Sequence, residues 1–300
     1  MRSRVLARAR GAKPIDLERT GETGRLRMSL QVHADPQGHL TRLGYYADLF
    51  LALDEPGQDG GPGREENHVG YISAWRLSKE PNQYAHEEFQ PWVTEWLQGE
   101  LGDPDDDSRP FKETLRLLYD ETGQLRAVND ESLRSALNDT GSELVFIEMI
   151  WIKYKDEKTG FPFSCQRIAP HALELLYSIM NNGTLPAWYT VNLPITFVLR
   201  AGMPSDDGLS EMWLKEHPKA SDETDLRYSN RIARTVEAVF RAEDRYGYRN
   251  ISNDHRVMAL TVSFPNRERL VVNSMLEDET DTALPPTQPG PQLVSSSIRS

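Results

Sequence analysis

Alternation of apolar and polar side chains dominates the first eighty residues. Met28, Leu30 and Val32 are apolar at every second position, the period of a strand whose successive side chains point to opposite faces. Two strands are therefore predicted around the turn Asp35-Pro-Gln-Gly38, and a third over Val69 to Ser78. Between them the glycine-rich, charged stretch from Pro56 to Asn67 is expected to be a flexible loop. The period then changes. Phe89, Trp92, Val93, Trp96 and Leu97 recur at helical spacing and predict a helix over Gln83 to Leu101. Its tryptophans are read as core packing in preference to a wall for a flat ligand. Phe111 to Tyr119 and Asp130 to Leu137 predict two shorter helices.

Glu143 to Tyr154 is the strongest strand pattern in the chain. Val145, Ile147, Met149 and Trp151 are assigned to one face and Phe146, Ile150 and Ile152 to the other, and apolar residues on both faces mark a central strand. Glu148 interrupts the second set. A carboxylate in a central strand is costly unless it is paired, wet or used. Ala169 to Met180 follows as an amphipathic helix, with Pro170 in its first turn and Asn182-Gly183 at its end. The run from Ala187 to Met203 supplies another buried strand, in which Pro194 argues for a bulge or an edge. Asp225 to Tyr246 is a long helix carrying Ile232, Val236, Val239 and Phe240, and the last strand covers His255 to Phe264. After Leu276 large apolar groups are too few to offset the entropy of ordering, and the tail is expected to be disordered.

Composition narrows the classes of function. With 300 residues, 38% hydrophobic, the chain has material for one sizeable core with polar ends. Its net charge of −12 argues against nucleic acid and suits cationic partners such as a small-molecule amine or a basic peptide. Arg2, Arg4, Arg8 and Arg10 read as a solvated basic terminus. The single cysteine, Cys165, excludes an internal disulfide framework, and no apolar run is long enough for a membrane helix. A cytoplasmic location is the expectation. His171 and His255 lack a partner at catalytic or metal-ligand spacing, the acidic run Gly102 to Pro110 lacks the glycine and distal glutamate of a calcium loop, and no phosphate-loop, dinucleotide or nucleophile-elbow motif occurs.

From Glu143 onward the order is strand, loop, helix, strand, long helix, strand. ELVFIEMIWI, APHALELLY, PITFVLRAGM and AVFRAEDRYGYRN before RVMALTV together resemble the catalytic half of the GNAT acetyltransferase superfamily, and look most like the divergent GNAT-like proteins of fungi. HVGYISAW looks like that fold's third strand. The resemblance implies an α+β fold with a GNAT-like mixed central sheet flanked by helices. It would occupy residues 22–276, with a helical insertion over 83–137, a flexible basic end over 1–21 and a disordered tail over 277–300.

The function so implied is transfer of acetyl from acetyl-CoA to an amine by direct attack. Glu148 would deprotonate the amine through water, and Tyr246 is the candidate acid. The diphosphate would lie on the first turn of a helix, where unpaired amides and the helix dipole favour an anion. Ile152, Arg167, Ile168, Ala169, His171 and Ala172 would form the cofactor site. Two positions depart from the family pattern. Arg167 or Pro170 stands where the loop's central glycine belongs, and Glu243 stands where the family often has a tyrosine. They leave a second reading open, a module of this fold that has lost catalysis and binds or regulates.

Overall fold

The computed structural model describes residues 4–35, 42–53, 66–79, 93–97, 109–126, 128, 130–139, 143–153, 160–161, 163, 168–181, 183–191, 193–200, 218–241, 248–251 and 257–262. Eight strands form one mixed sheet: β1 (Val5–Asp16), β2 (Thr23–Ala34), β3 (Arg42–Leu53), β4 (Asn67–Leu77), β5 (Glu143–Ile152), β6 (Ile195–Arg200), β7 (Arg249–Asn250) and β8 (Val257–Val262). Their spatial order is β1-β2-β3-β4-β5-β6-β8-β7. Every neighbouring pair is antiparallel except β5 and β6, which run parallel. The helices are α1 (Thr94–Leu97), α2 (Arg109–Leu118), α3 (Glu131–Asn138), α4 (Ile168–Asn181) and α5 (Asp225–Arg241). The fold class is α+β, as expected.

The sheet separates two cores. On one face Leu26, Met28, Leu30 and Val32 of β2, alternate residues of β3 and β4, and Val145 and Ile147 of β5 pack with Leu173, Leu175, Leu176 and Ile179 of α4. On the other, Leu77, Leu144, Phe146, Val198, Val257 and Ala259 pack with Val93, just ahead of α1, and with Trp96, Phe111, Leu115, Leu133 and Leu137 of α1, α2 and α3. Each fully buried aliphatic side chain contributes about 1.5–3 kcal/mol, so the central strands are held from both sides. The α3 helix starts at Asp130, whose carboxylate accepts from the backbone N–H groups of Ser132 and Leu133. At its far end the Lys79 ammonium donates to the carbonyls of Ala136, Leu137 and Asp139, and burial pulls that ammonium's pKa down to about 8.

Close backbone approach fixes two glycines. A Cβ on Gly70 would lie 2.0 Å from the Trp151 carbonyl oxygen on β5, and one on Gly11 would lie 2.8 Å from the Ile179 side chain on α4.

Three expectations change. Residues 5–16, read as part of a flexible basic end, form β1, paired along its length with β2. The arginines supply the polar half of its alternation: Arg8 and Arg10 are exposed while Ala9 between them is buried. Pro194 marks neither a bulge nor an edge of β6. It lies just before the strand, where no ladder N–H is needed, and β6 is flanked by both β5 and β8. The simple alternation read for β5 also fails, because the strand carries a β-bulge. Ser73 of β4 lies opposite Met149 and Ala74 opposite Ile147, with Glu148 as the extra residue between them. The bulge turns Ile150 and Ile152 to the α4 face with Val145 and Ile147, and sends Met149 and Trp151 to the other. The Pro56 to Asn67 loop up to residue 65, Trp92 and the 277–300 tail lie outside the described residues.

Candidate active site

The bulge at Glu148 coincides with a second change in the sheet. The parallel ladder between β5 and β6 runs from Glu143 opposite Ile195 to Ile147 opposite Leu199, while β5 continues to Ile152, paired among the described residues only with β4. Arg200, the last residue of β6, pairs instead with Val257 of β8. Glu148 therefore stands where β5 parts from β6. In sheets with parallel strands the crevice beyond the carboxyl ends of such a pair is where ligands gather, and bulges commonly re-aim a side chain beside such a site.

The Glu148 carboxylate accepts a hydrogen bond from the Ser73 hydroxyl at 2.6 Å. Ser73 lies on the face of β4 turned away from α4, and that face carries a connected group of half-buried side chains. Tyr46 and Tyr71 stack with ring centroids 5.4 Å apart, and Tyr71 meets Trp151 at 5.6 Å. The Tyr71 hydroxyl donates to the Met149 sulfur at 3.1 Å. Beside them His68 Nε2 lies 3.2 Å from an Asp48 oxygen, and the His68 ring meets Phe50 edge-on at 5.4 Å. Burial first, and then the charge of Asp48, push the Tyr46 phenol up to about 12, so Tyr46 remains a protonated donor toward Asp48. Among the described elements, α2 and α3 pack on this face over β5, β6 and β8, and α1 reaches β3 through Trp96, whose ring lies against the Arg42 guanidinium.

The positions expected for a diphosphate site have mixed fates. Ile152 ends β5 opposite Gly70. Ile168 opens α4, with its side chain and that of Ala172 in the core and Ala169 packed against it; what this end of the helix can offer an anion is the backbone N–H groups of Ile168 and Ala169, since Pro170 has none and the Ala172 N–H falls within the helix ladder. His171 is engaged through its side chain. Its Nδ1 lies 3.4 Å from Lys13 Nζ and 3.8 Å from Glu174, and Lys13 is itself ion-paired with Glu174. The pairing that spacing in the sequence did not reveal is thus a long-range one, from α4 to β1. Arg167, Cys165, Glu243, Tyr246 and His255 lie outside the described residues. Two residues beyond Tyr246 in sequence, Tyr248 is buried in the core on the α4 side of the sheet and hydrogen-bonded to Tyr177. Desolvation raises the pKa of both phenols well above the ordinary value.

Sequence reasoning singled out Glu148 but not Tyr46, Asp48, His68, Tyr71 and Ser73. Their signal was the non-core half of the alternation in β3 and β4, but only the register of the strands joins them to Glu148. Among the described residues no cluster of three or more His, Cys, Asp or Glu side chains is arranged to hold a metal, and no helix is long and apolar enough to cross a membrane.

Comparison with known proteins found no matching family model, no matching curated protein and no matching solved structure.

Proposed function

We propose that the protein is an N-acyltransferase of GNAT-like fold that moves an acetyl group from acetyl-CoA to an amine. The observation that carries this reading is the bulge that places Glu148 at the point where the parallel β5–β6 pair opens. A carboxylate held there by Ser73 is positioned to take a proton from an amine as its nitrogen attacks the thioester carbonyl. The new C–N bond forms, the C–S bond breaks, and the thiolate leaves with a proton. Beyond Ile147 the β5 backbone has no ladder partner on its β6 side among the described residues, which suits an extended, amide-bearing chain such as the arm of coenzyme A. The first turn of α4, with Arg167 just ahead of it in sequence, would receive the diphosphate.

The test couples binding to rate. Acetyl-CoA at a hundredfold excess over its dissociation constant should stabilise the folded protein by about 2.7 kcal/mol, visible as a rise in melting temperature that Arg167→Glu reduces. Glu148→Gln should retain the fold and the acetyl-CoA effect while slowing transfer about a hundredfold or more. A Gln variant with undiminished turnover removes Glu148 as the base. No thermal response at millimolar acetyl-CoA, with no turnover on any amine, would favour the non-catalytic module instead.

A further inference from the structure

Charge is spread unevenly over the sheet. Ala9 and Ile15 of β1 and Leu26, Met28 and Leu30 of β2 face α4, so the residues between them point the other way. On that second face stand Arg8 and Arg10 of β1 and Arg25 and Arg27 of β2, with Arg8 opposite Gln31, Arg10 opposite Ser29, Arg27 opposite Ala12 and Arg25 opposite Pro14. Successive rows of the ladder thus carry one arginine each, about 6.8 Å apart along the strands and about 20 Å from first to last. Arg27 is already committed, being ion-paired with Glu66 and lying 5.0 Å over the Phe50 ring. Arg8, Arg10 and Arg25 are exposed, and no acid among the described residues is ion-paired with them. The nearest acids are placed otherwise: Asp48 on β3 accepts from His68 and Tyr46, and Asp16 stands at the end of β1, opposite Thr23. In a chain of net charge −12 this stripe is a local reversal of sign.

We propose that the stripe docks an extended acidic segment of a partner protein, with carboxylates at alternate positions facing Arg8, Arg10 and Arg25. Side chains of an extended peptide recur on one side at every second residue, about 6.8 Å apart, which is the spacing of the rows themselves. A segment of about seven residues spans the stripe, with acids at its first, third and seventh positions. Its fifth position lies over Ala12 and the neutralised Arg27, and suits a small uncharged residue. Arginine holds a carboxylate through two parallel N–H donors, while Ser29 and Gln31, in the same rows, offer hydrogen bonds to the segment's backbone. Two other anionic partners fit less well. A nucleic acid continues beyond the stripe and is repelled by the excess acid of the chain as a whole. A membrane surface takes up protruding apolar groups, and the exposed large apolar side chains among the described residues, Trp188 and Leu226, lie outside β1 and β2. The stripe acts independently of Glu148 and of the transfer reaction.

Fluorescence anisotropy of labelled peptides with the full chain tests the proposal, in about 0.1 M salt, where charges beyond about 10 Å are screened. The capped peptide Glu-Ser-Glu-Ser-Ala-Ser-Glu or its reverse, the two directions in which a segment can lie on the stripe, should bind about thirtyfold more tightly than the same peptide with Gln for every Glu. Arg8→Ala with Arg10→Ala should weaken binding about tenfold and Arg25→Ala about threefold, with an unchanged melting temperature as the check on folding. Arg227→Ala, which removes an exposed arginine from α5, should leave the affinity as it is. If the double variant loses its melting transition, Arg10→Gln and Arg25→Ala carry the measurement. Equal affinity for the Gln peptide, unchanged affinity in the stripe variants, or no binding of either peptide direction overturns the proposal. Tighter binding of an oligothymidylate or of phosphatidylserine vesicles than of the acidic peptide also overturns it, and gives the stripe to nucleic acid or to a membrane surface.

Discussion

Arg42 shows how much one side chain can organise. Its guanidinium is 1% exposed, ion-paired with Asp35, and lies over the rings of Trp75 at 4.4 Å and Trp96 at 5.3 Å. It joins β3, β4 and α1 around one charge. Among the described residues Nε and Nη1 of Arg42 and the indole N–H of Trp75 have no hydrogen-bond partner. A buried ion pair adds little net stability over an apolar replacement, yet removing one partner leaves an uncompensated charge. Asp35→Ala should therefore lower unfolding stability by about 3–5 kcal/mol, whereas the double change Asp35→Leu with Arg42→Met should recover most of that loss. Urea denaturation with an unchanged slope is the measurement. A single variant as stable as the native chain would show that the pair is compensated elsewhere. The reading of Trp96 as a core residue was available from helical spacing; the cation it covers was not, because Arg42 reaches it only through the packing of a helix on a distant strand.

Among the elements, α4 was legible throughout, whereas β5 was legible as a strand and its bulge was not. The stretch from Ala169 to Met180 reads as a helix because its apolar stripe is punctuated by Pro170 and Gly183, and α4 spans Ile168–Asn181. In β5 a period of two is broken by one inserted residue, and nothing local in ELVFIEMIWI announces the insertion; it arises from pairing with Ser73 and Ala74. The docking of α4 is likewise a long-range matter. Burial disfavours the charge of Glu174, but hydrogen bonds from His171 and Lys13, with the Lys13 charge, outweigh it and hold the carboxyl at about 2, against 4.5 when unperturbed. A depressed carboxylate contributes stability that is complete above its unfolded value and is lost as pH falls through its folded one. Melting temperature should thus decline between pH 4.5 and 2, and Glu174→Gln should flatten the part of that decline that belongs to this contact. If the two profiles fall in parallel, the cluster does not link α4 to β1 energetically.

At the scale of the molecule, the mixed sheet needs its first strand. β1 closes one edge, contributes Ala9 and Ile15 to the buried interior with Leu17 just beyond its end, brings Lys13 to Glu174, and at Gly11 lets Ile179 of α4 come close to the backbone. Its edge is itself guarded by Pro14 and by charged side chains, devices that discourage pairing with another chain. In the sequence the four arginines of the first ten residues outweigh small alanines that alternate with them, so hydropathy alone hides the strand; only the ladder with β2 reveals it. A flexible terminus and a structural strand make opposite predictions. Removing residues 1–17 from a flexible end would leave stability within about 0.5 kcal/mol of the full chain, the range expected for changes remote from packed features. Removing β1 should instead strip the burial of Ile15 and Leu17, worth about 1.5–3 kcal/mol each, and expose the full edge of β2. The shortened chain is expected to melt far below the full one or to lose its cooperative transition, whereas Arg8→Ala with Arg10→Ala, confined to exposed side chains, should leave the transition in place. A deletion variant that melts with the full chain would return this segment to the solvent.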